Sequence, residues 1–186
     1  EPMLILIIGL VLFFGPHFVP FFPAYRNSLY ERLGEKRYKG GFSLIALVGL
    51  VLIVFGFSRA AYTELWAPFP WSRNLALYLM PVSLTLFAAA NMKTLIRRYL
   101  RHPMALGTIV FAAVHLSANG DLASALVFGS FGLYAILSVI SGEARGRVLG
   151  DESVAVKYDL FSILGGVGIY FVILKFHGVL FGVSVL

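Results

Sequence analysis

Long stretches without a charged side chain constrain this chain more than any other feature. Residues 3–24 and 41–58 contain no Asp, Glu, Lys or Arg. Each stretch has about 18 residues or more, which is enough for a helix to cross the hydrocarbon core of a bilayer. Similar apolar runs follow at residues 74–92, 104–118, 122–142 and 160–184. The pattern predicts an all-α integral membrane bundle of about six transmembrane helices.

Composition supports the membrane class. The chain is 59% hydrophobic and 13% charged, whereas a soluble globular domain has roughly 25% charged residues. A soluble fold of this length could not bury that much apolar surface, but a bilayer can cover it. No long repeat, low-complexity tract or linker interrupts the sequence, so we expect one domain over residues 1–186.

The basic residues predict the orientation. The net charge of +6 is spread over short clusters between apolar runs, which is typical of cytoplasmic loops and argues against a nucleic-acid partner. The first, third and fifth loops hold twelve Lys and Arg residues, whereas the second and fourth hold only Arg59 and Arg73. We therefore expect both termini outside. The N-terminus lacks a basic region, so no cleavable signal peptide is expected.

Small and polar residues between and within the spans have structural interpretations. Three glycine pairs, Gly129 with Gly132, Gly165 with Gly168 and Gly178 with Gly182, predict close helix contacts. Residues 62–71 hold two Trp and one Phe, which is typical of an interfacial belt, with a lid over an apolar pocket as the alternative. Asp121 is expected to cap the helix that follows it, or else to pair with a basic group.

Three of the four histidines lie within or at the edge of apolar runs, where an ionisable group is costly unless it is paired or ligating. His17 lies about 20 Å from the outer end of the first span, and His115 roughly 16 Å from the cytoplasmic start of the fourth. These two come from different helices at similar depth, so geometry permits them to ligate one iron. The alternative for each is a neutral imidazole bonded to a backbone carbonyl.

Small neighbours favour heme as the group that these histidines hold. A porphyrin needs flat walls and an imidazole ligand, and Gly15 lies beside His17 while Ala112 and Ala113 precede His115. His102 is about 20 Å along the helix from His115, so it cannot share that iron. With Arg101 it could hold an anionic group at a helix N-terminus, or anchor a lipid headgroup. His177 can reach the interface by snorkelling and ranks last.

Four features of the chain resemble the NnrU family. They are the first span with its histidine, His17, the loop at residues 31–40, the Arg101-His102-Pro103 motif, and the run His115-Leu-Ser-Ala-Asn-Gly-Asp121. The resemblance covers most of the chain, and residues 101–121 are its most specific part. The family includes bacterial proteins named for nitrite and nitric oxide reduction, and the 15-cis-zeta-carotene isomerase of plants and cyanobacteria, a heme b enzyme.

That resemblance implies heme b, with His17 and His115 at the family's iron-ligand positions, in a bacterial inner membrane. If heme lies at the depth of His17, Arg26 and Arg101 are expected to pair with its propionates. In the isomerase a Cys precedes the second histidine by three residues, whereas this chain has Ala112 there and no cysteine anywhere. Ligand exchange with a thiolate is therefore excluded here.

Four functions follow as alternatives. The first is a heme-dependent isomerase of an apolar polyene, and the second is a heme redox or sensing protein that supports nitrite and nitric oxide reduction. The third is a membrane S-adenosylmethionine-dependent methyltransferase, because RHPMALG resembles the RHPxYxG motif of those enzymes. Ala105 stands in place of the motif's Tyr, and Glu143 or Glu152 could serve as the acidic residue that follows it. A transporter is disfavoured, since no acidic residue falls inside a predicted span.

Overall fold

The computed structural model describes residues 1–146, 153–181 and residue 185. In that part of the chain it contains eight α-helices and a short 3₁₀ turn, Val19–Phe21, which confirms the all-α prediction. The helices are α1 (Pro2–Phe18), α2 (Pro23–Leu33), α3 (Glu35–Arg59), α4 (Ser72–Ala90), α5 (Leu95–Leu100), α6 (Pro103–Ala118), α7 (Leu122–Ala144) and α8 (Val156–Phe181).

Five of these helices are long and apolar enough to cross a membrane: α1 with its 3₁₀ turn, α3, α4, α7 and α8. The sixth predicted span corresponds to α6, which has 16 residues and a length of about 24 Å at the usual rise. By helix length and hydropathy, the chain is a multi-pass membrane protein.

The first predicted loop is largely helical. Pro20 and Pro23 lack the amide proton that would continue α1, so the chain turns there and Pro23 begins α2. Gly34, with φ at 77°, separates α2 from α3, and a side chain at that φ would be strained. The apolar helix α3 therefore starts at Glu35, earlier than the charge-free run at residues 41–58 indicated.

The chain divides into two compact units, and the first comprises Glu1–Trp66 and Asp121–Ser130. Within it α1 and α3 run antiparallel and approach closely at glycines. A Cβ on Gly49 would lie 2.5 Å from the backbone nitrogen of Phe13, and one on Gly9 would lie 2.6 Å from that of Ile53. Small residues allow such backbone contact in lipid, where no hydrophobic force drives helices together.

The second unit comprises Ala67–Gly120 and Phe131–Leu186, and within it α4 packs against α6 and α8. The buried Ser83 hydroxyl donates to the Gly107 carbonyl at 2.8 Å, which joins α4 to α6. The Asp159 carboxylate of α8 accepts the backbone N–H groups of Leu95 and Ile96 at 3.0 and 2.9 Å, which satisfies two otherwise unpaired donors at the start of α5.

The glycine pairs predicted from sequence are wrong in detail. A Cβ on Gly129, Gly165 or Gly168 would meet no atom within 4 Å, so these glycines mark no helix contact. The contact glycine of α8 is Gly166, whose Cβ would lie 2.5 Å from Thr85. One residue turns the helix surface by about 100°, so an error of one position selects the wrong face. Gly132 does contact Ala112, and Gly182 lies outside the described residues.

The second loop has no helix, and the fourth loop supplies a helix cap. Residues 60–71 contain no helix, Trp71 is 52% exposed, and its ring stacks on Phe69 with centroids 5.0 Å apart. Asp121 caps α7, since its carboxylate accepts the Ser124 N–H at 3.0 Å. The capping prediction for Asp121 is confirmed.

The α1–α3 contact gives a direct stability prediction. Gly49→Ala should lower the midpoint of thermal unfolding in detergent, because the added methyl group overpacks the interface, at a cost of about 1–3 kcal/mol. Gly40→Ala is the matched control in the same helix, where a Cβ meets nothing within 4 Å and alanine's better helix propensity should be neutral or stabilising. Equal effects of the two substitutions would contradict the described packing.

Candidate functional site

His17 lies in the last turn of α1 and bonds to its own helix. Its Nδ1 is 2.6 Å from the Phe13 carbonyl oxygen. A carbonyl oxygen only accepts hydrogen bonds, so Nδ1 carries the proton and the ring's lone pair is on Nε2. The Phe13 ring stacks on the imidazole with centroids 4.5 Å apart and 23° between planes, and Phe42 of α3 is 4.9 Å away.

His115 repeats this arrangement in the last turn of α6. Its Nδ1 is 2.8 Å from the carbonyl oxygen of Phe111, and the Phe111 ring centroid lies 4.1 Å from the imidazole. Both histidines are half-buried. The shared unit is a Phe four residues before the His, visible as Phe13-Phe-Gly-Pro-His17 and Phe111-Ala-Ala-Val-His115. The repeat is visible in the sequence, but its bond to the carbonyl is seen only in the fold.

The two histidines therefore have the same tautomer and a fixed ring orientation. Histidines that ligate metals commonly donate their other ring N–H to a carbonyl, which orients the ring and makes the ligating nitrogen more basic. The backbone bond that was the alternative to ligation is present at both sites. It is also compatible with ligation, because it engages Nδ1 and leaves the lone pair on Nε2.

The Arg101-His102 motif belongs to an ion-pair cluster with Glu143, at the end of α7. One carboxylate oxygen of Glu143 is 2.7 Å from an Arg101 Nη, and the other is 2.7 Å from the His102 Nε2. His102 is only 6% exposed, so the interpretation as a headgroup anchor is wrong. The anion expected at this motif is supplied by the chain itself.

The backbone at Arg101 is strained. Its φ is 60°, in the left-handed region, and the His102 N–H donates to the Leu100 carbonyl at 2.6 Å across this tight turn. A residue held in such a conformation costs about 1–3 kcal/mol, so surrounding contacts must hold it. The pairing with Glu143 provides such contacts, and the following Pro103 starts α6.

The family assignment rests on nearly the whole sequence. The family model described as NnrU protein matches residues 5–185. The chain belongs to the NnrU family. Comparison with curated proteins and with solved structures gives no match.

In this NnrU protein the histidines are distributed over both units. His17 belongs to the first unit, and His102, His115 and His177 to the second. His177 of α8 lies within electrostatic range of His115, so the residue that the sequence ranked last is a further candidate partner for the same ligand. Both α6 and α8 pack against α4, an arrangement that the local sequence around His177 does not indicate.

Three more residues were considered from the sequence: Arg26, Ala112 and Glu152. Arg26 lies on α2 with its guanidinium 5.7 Å from the Tyr30 ring centroid, and among the described residues its Nε is a buried nitrogen without a hydrogen-bond partner. Ala112 is 2% exposed and packs against Gly132 of α7. Glu152, the other acidic residue considered, lies outside the described residues.

Within the described part of the NnrU protein, no group of three or more His, Cys, Asp or Glu side chains is placed to hold a bare metal ion. Heme iron needs only one or two protein ligands, since the porphyrin supplies the others. Single histidines such as His17 and His115 are therefore sufficient as protein ligands for a heme iron.

The ion-pair cluster predicts coupled stability effects. His102→Ala and Glu143→Gln should each lower the midpoint of thermal unfolding, because His102 is buried and its Nε2 bonds to Glu143. The double variant should lose less stability than the sum of the single losses, since both remove the same bond. Additive losses in the measured unfolding midpoints would show that the two residues act independently.

Proposed function

We propose that this NnrU family protein binds heme b within the membrane, with His17 and His115 as its iron ligands. The observation that carries the proposal is the shared unit at both histidines, in which Nδ1 donates to a carbonyl four residues back. In a neutral imidazole held this way the lone pair is on Nε2, which is the nitrogen that could ligate iron.

The flanking residues fit a porphyrin with two carboxylates. Arg26 has a buried Nε that lacks a hydrogen-bond partner, which is suited to a propionate. Arg101 bonds to Glu143, and its side chain is 43% exposed. The Phe13 ring stacks on the His17 imidazole, and the Phe111 ring packs against the His115 imidazole at a tilt of 37°. We propose that these residues orient the bound group.

We propose two alternative activities for the protein with heme b bound. When bound, heme would supply an iron centre that exchanges electrons with a conjugated substrate or a redox partner. Isomerisation of an apolar polyene such as zeta-carotene follows from the family resemblance, and a membrane protein meets such a substrate in the bilayer. A redox or sensing role in nitrite and nitric oxide reduction is favoured by Ala112, which is buried against α7 where the isomerase has a Cys.

A zeta-carotene assay separates the two activities, since only the isomerase changes the polyene's absorption spectrum. Methyl transfer is not proposed, because Arg101 and His102 already have a structural role through their bonds to Glu143.

We also propose a bacterial inner-membrane location with both termini outside, on the strength of the loop charges. Reporter fusions after Lys39 and after Arg101 should both give the signal of a cytoplasmic reporter. A periplasmic signal at either position would overturn this orientation.

The ligand proposal is tested by heme content and spin state. His17→Ala and His115→Ala should each lose heme or change the spectrum from six-coordinate low-spin to five-coordinate, because each would remove one ligating nitrogen. His102→Ala should retain the heme, since that imidazole bonds to Glu143. The measurements are heme per chain and the electron paramagnetic resonance spectrum of the ferric protein.

The electrostatic proximity of His177 to His115 makes His177→Ala the decisive control. We expect this variant to keep its heme and its low-spin spectrum. If His177→Ala loses the low-spin spectrum and His17→Ala keeps it, the second ligand is His177 and the proposed pair is wrong.

A further inference from the structure

An apolar cleft lies within the first unit, bordered by α1, α2 and α3. Its volume is about 370 Å³. The lining includes Val11 and Val19 from the α1 segment, Leu29 and Leu33 from α2, and Phe42 and Ile45 from α3. Arg37 and Tyr38 complete one end, and no acidic residue is found among the described residues that line it.

Two glycines keep this cleft open. Gly15 of α1 and Gly41 of α3 both line it, and a Cβ on either would meet no atom within 4 Å. They differ from Gly9 and Gly49, where the same two helices touch through their backbones. Further along the α1–α3 pair, the missing side chains of Gly15 and Gly41 leave space that the protein itself does not fill.

The cleft has a polar end and an apolar end. Along α3 the lining changes from Arg37 to Ile45 over about 12 Å of helix. A ligand matched to this gradient has an anionic head and an apolar chain.

The cleft and the His17 side chain lie on different sides of α1. Gly15 lines the cleft, and His17, two residues later, is turned from it by about 200° around the helix. The imidazole packs on Phe13 and on Phe42, and Phe42 also lines the cleft. A ligand in the cleft would therefore lie next to the group that His17 would bind.

We propose that the cleft binds an anionic phospholipid from the bilayer, with one acyl chain between α1 and α3 and its phosphate on Arg37. A membrane-spanning chain has lipid as its surrounding solvent, and basic pockets between transmembrane helices bind anionic headgroups. A guanidinium matches a phosphate with two parallel hydrogen bonds. A zwitterionic headgroup has the same phosphate but adds a positive choline, which the Arg37 charge disfavours.

Native mass spectrometry of the detergent-solubilised protein tests this, with dioleoyl-phosphatidylglycerol or dioleoyl-phosphatidylcholine added as the probe. Gly41→Leu fills the cleft and Arg37→Gln removes the cation. Their matched controls are Gly40→Leu and Lys36→Gln, at neighbouring α3 positions that are not among the residues lining the cleft. Thermal unfolding identifies any variant that fails to fold. If Gly41→Leu does not fold, the lipid retention of Arg37→Gln, which is a surface substitution, tests the proposal by itself.

We expect the wild-type protein to retain one phosphatidylglycerol in preference to phosphatidylcholine. Arg37→Gln should weaken retention about fivefold, the effect of one basic residue at an anionic headgroup, and Gly41→Leu should abolish it. Both controls should bind as the wild type does, and all four variants should keep the wild-type heme content. The proposal would be overturned if the wild-type protein retained the two lipids equally. It would also be overturned if Arg37→Gln or Gly41→Leu retained phosphatidylglycerol as the wild type does, or if either control lost as much retention as its partner variant.

Discussion

Polar groups within the bilayer must find their hydrogen-bond partners inside the protein, because hydrocarbon offers none. This requirement governs the backbone, which is helical through every long apolar segment. It also governs the side chains: Ser83 and Ser117 donate to backbone carbonyls, and His17 and His115 do the same through Nδ1. The ring tautomer that suits iron ligation is thus a consequence of the solvent in which the helices lie.

The same solvent explains why packing depends on glycine. In lipid, apolar side chains gain little by contacting each other instead of acyl chains, so helices associate where small residues let backbones approach. Gly49 and Gly166 provide such contacts in the first and second unit respectively. Where Gly15 and Gly41 meet no neighbouring atom, the helices leave a cleft that is apolar along its length and cationic at one end.

The spans and the all-α class could be predicted because they depend on the length of charge-free runs, which is a local property. The helix α2 was missed, because a short helix rich in polar residues has no apolar run to reveal it. The burial of His102 depends on Glu143, which lies 41 positions away, so the sequence around His102 carried no sign of it. The sequence does show a Phe four residues before each candidate ligand. Its role is seen only in the fold, where the carbonyl of that Phe accepts the hydrogen bond from the histidine Nδ1. The single-domain organisation and the ligand pair stay predictions.

The central claim is that the paired Phe–His units of this NnrU family protein hold heme b. The most direct measurement is a pyridine hemochromogen assay on the wild-type protein, purified from cells supplied with ample heme. The account predicts a heme b spectrum with one heme per chain. A colourless protein that is folded and membrane-inserted would contradict it.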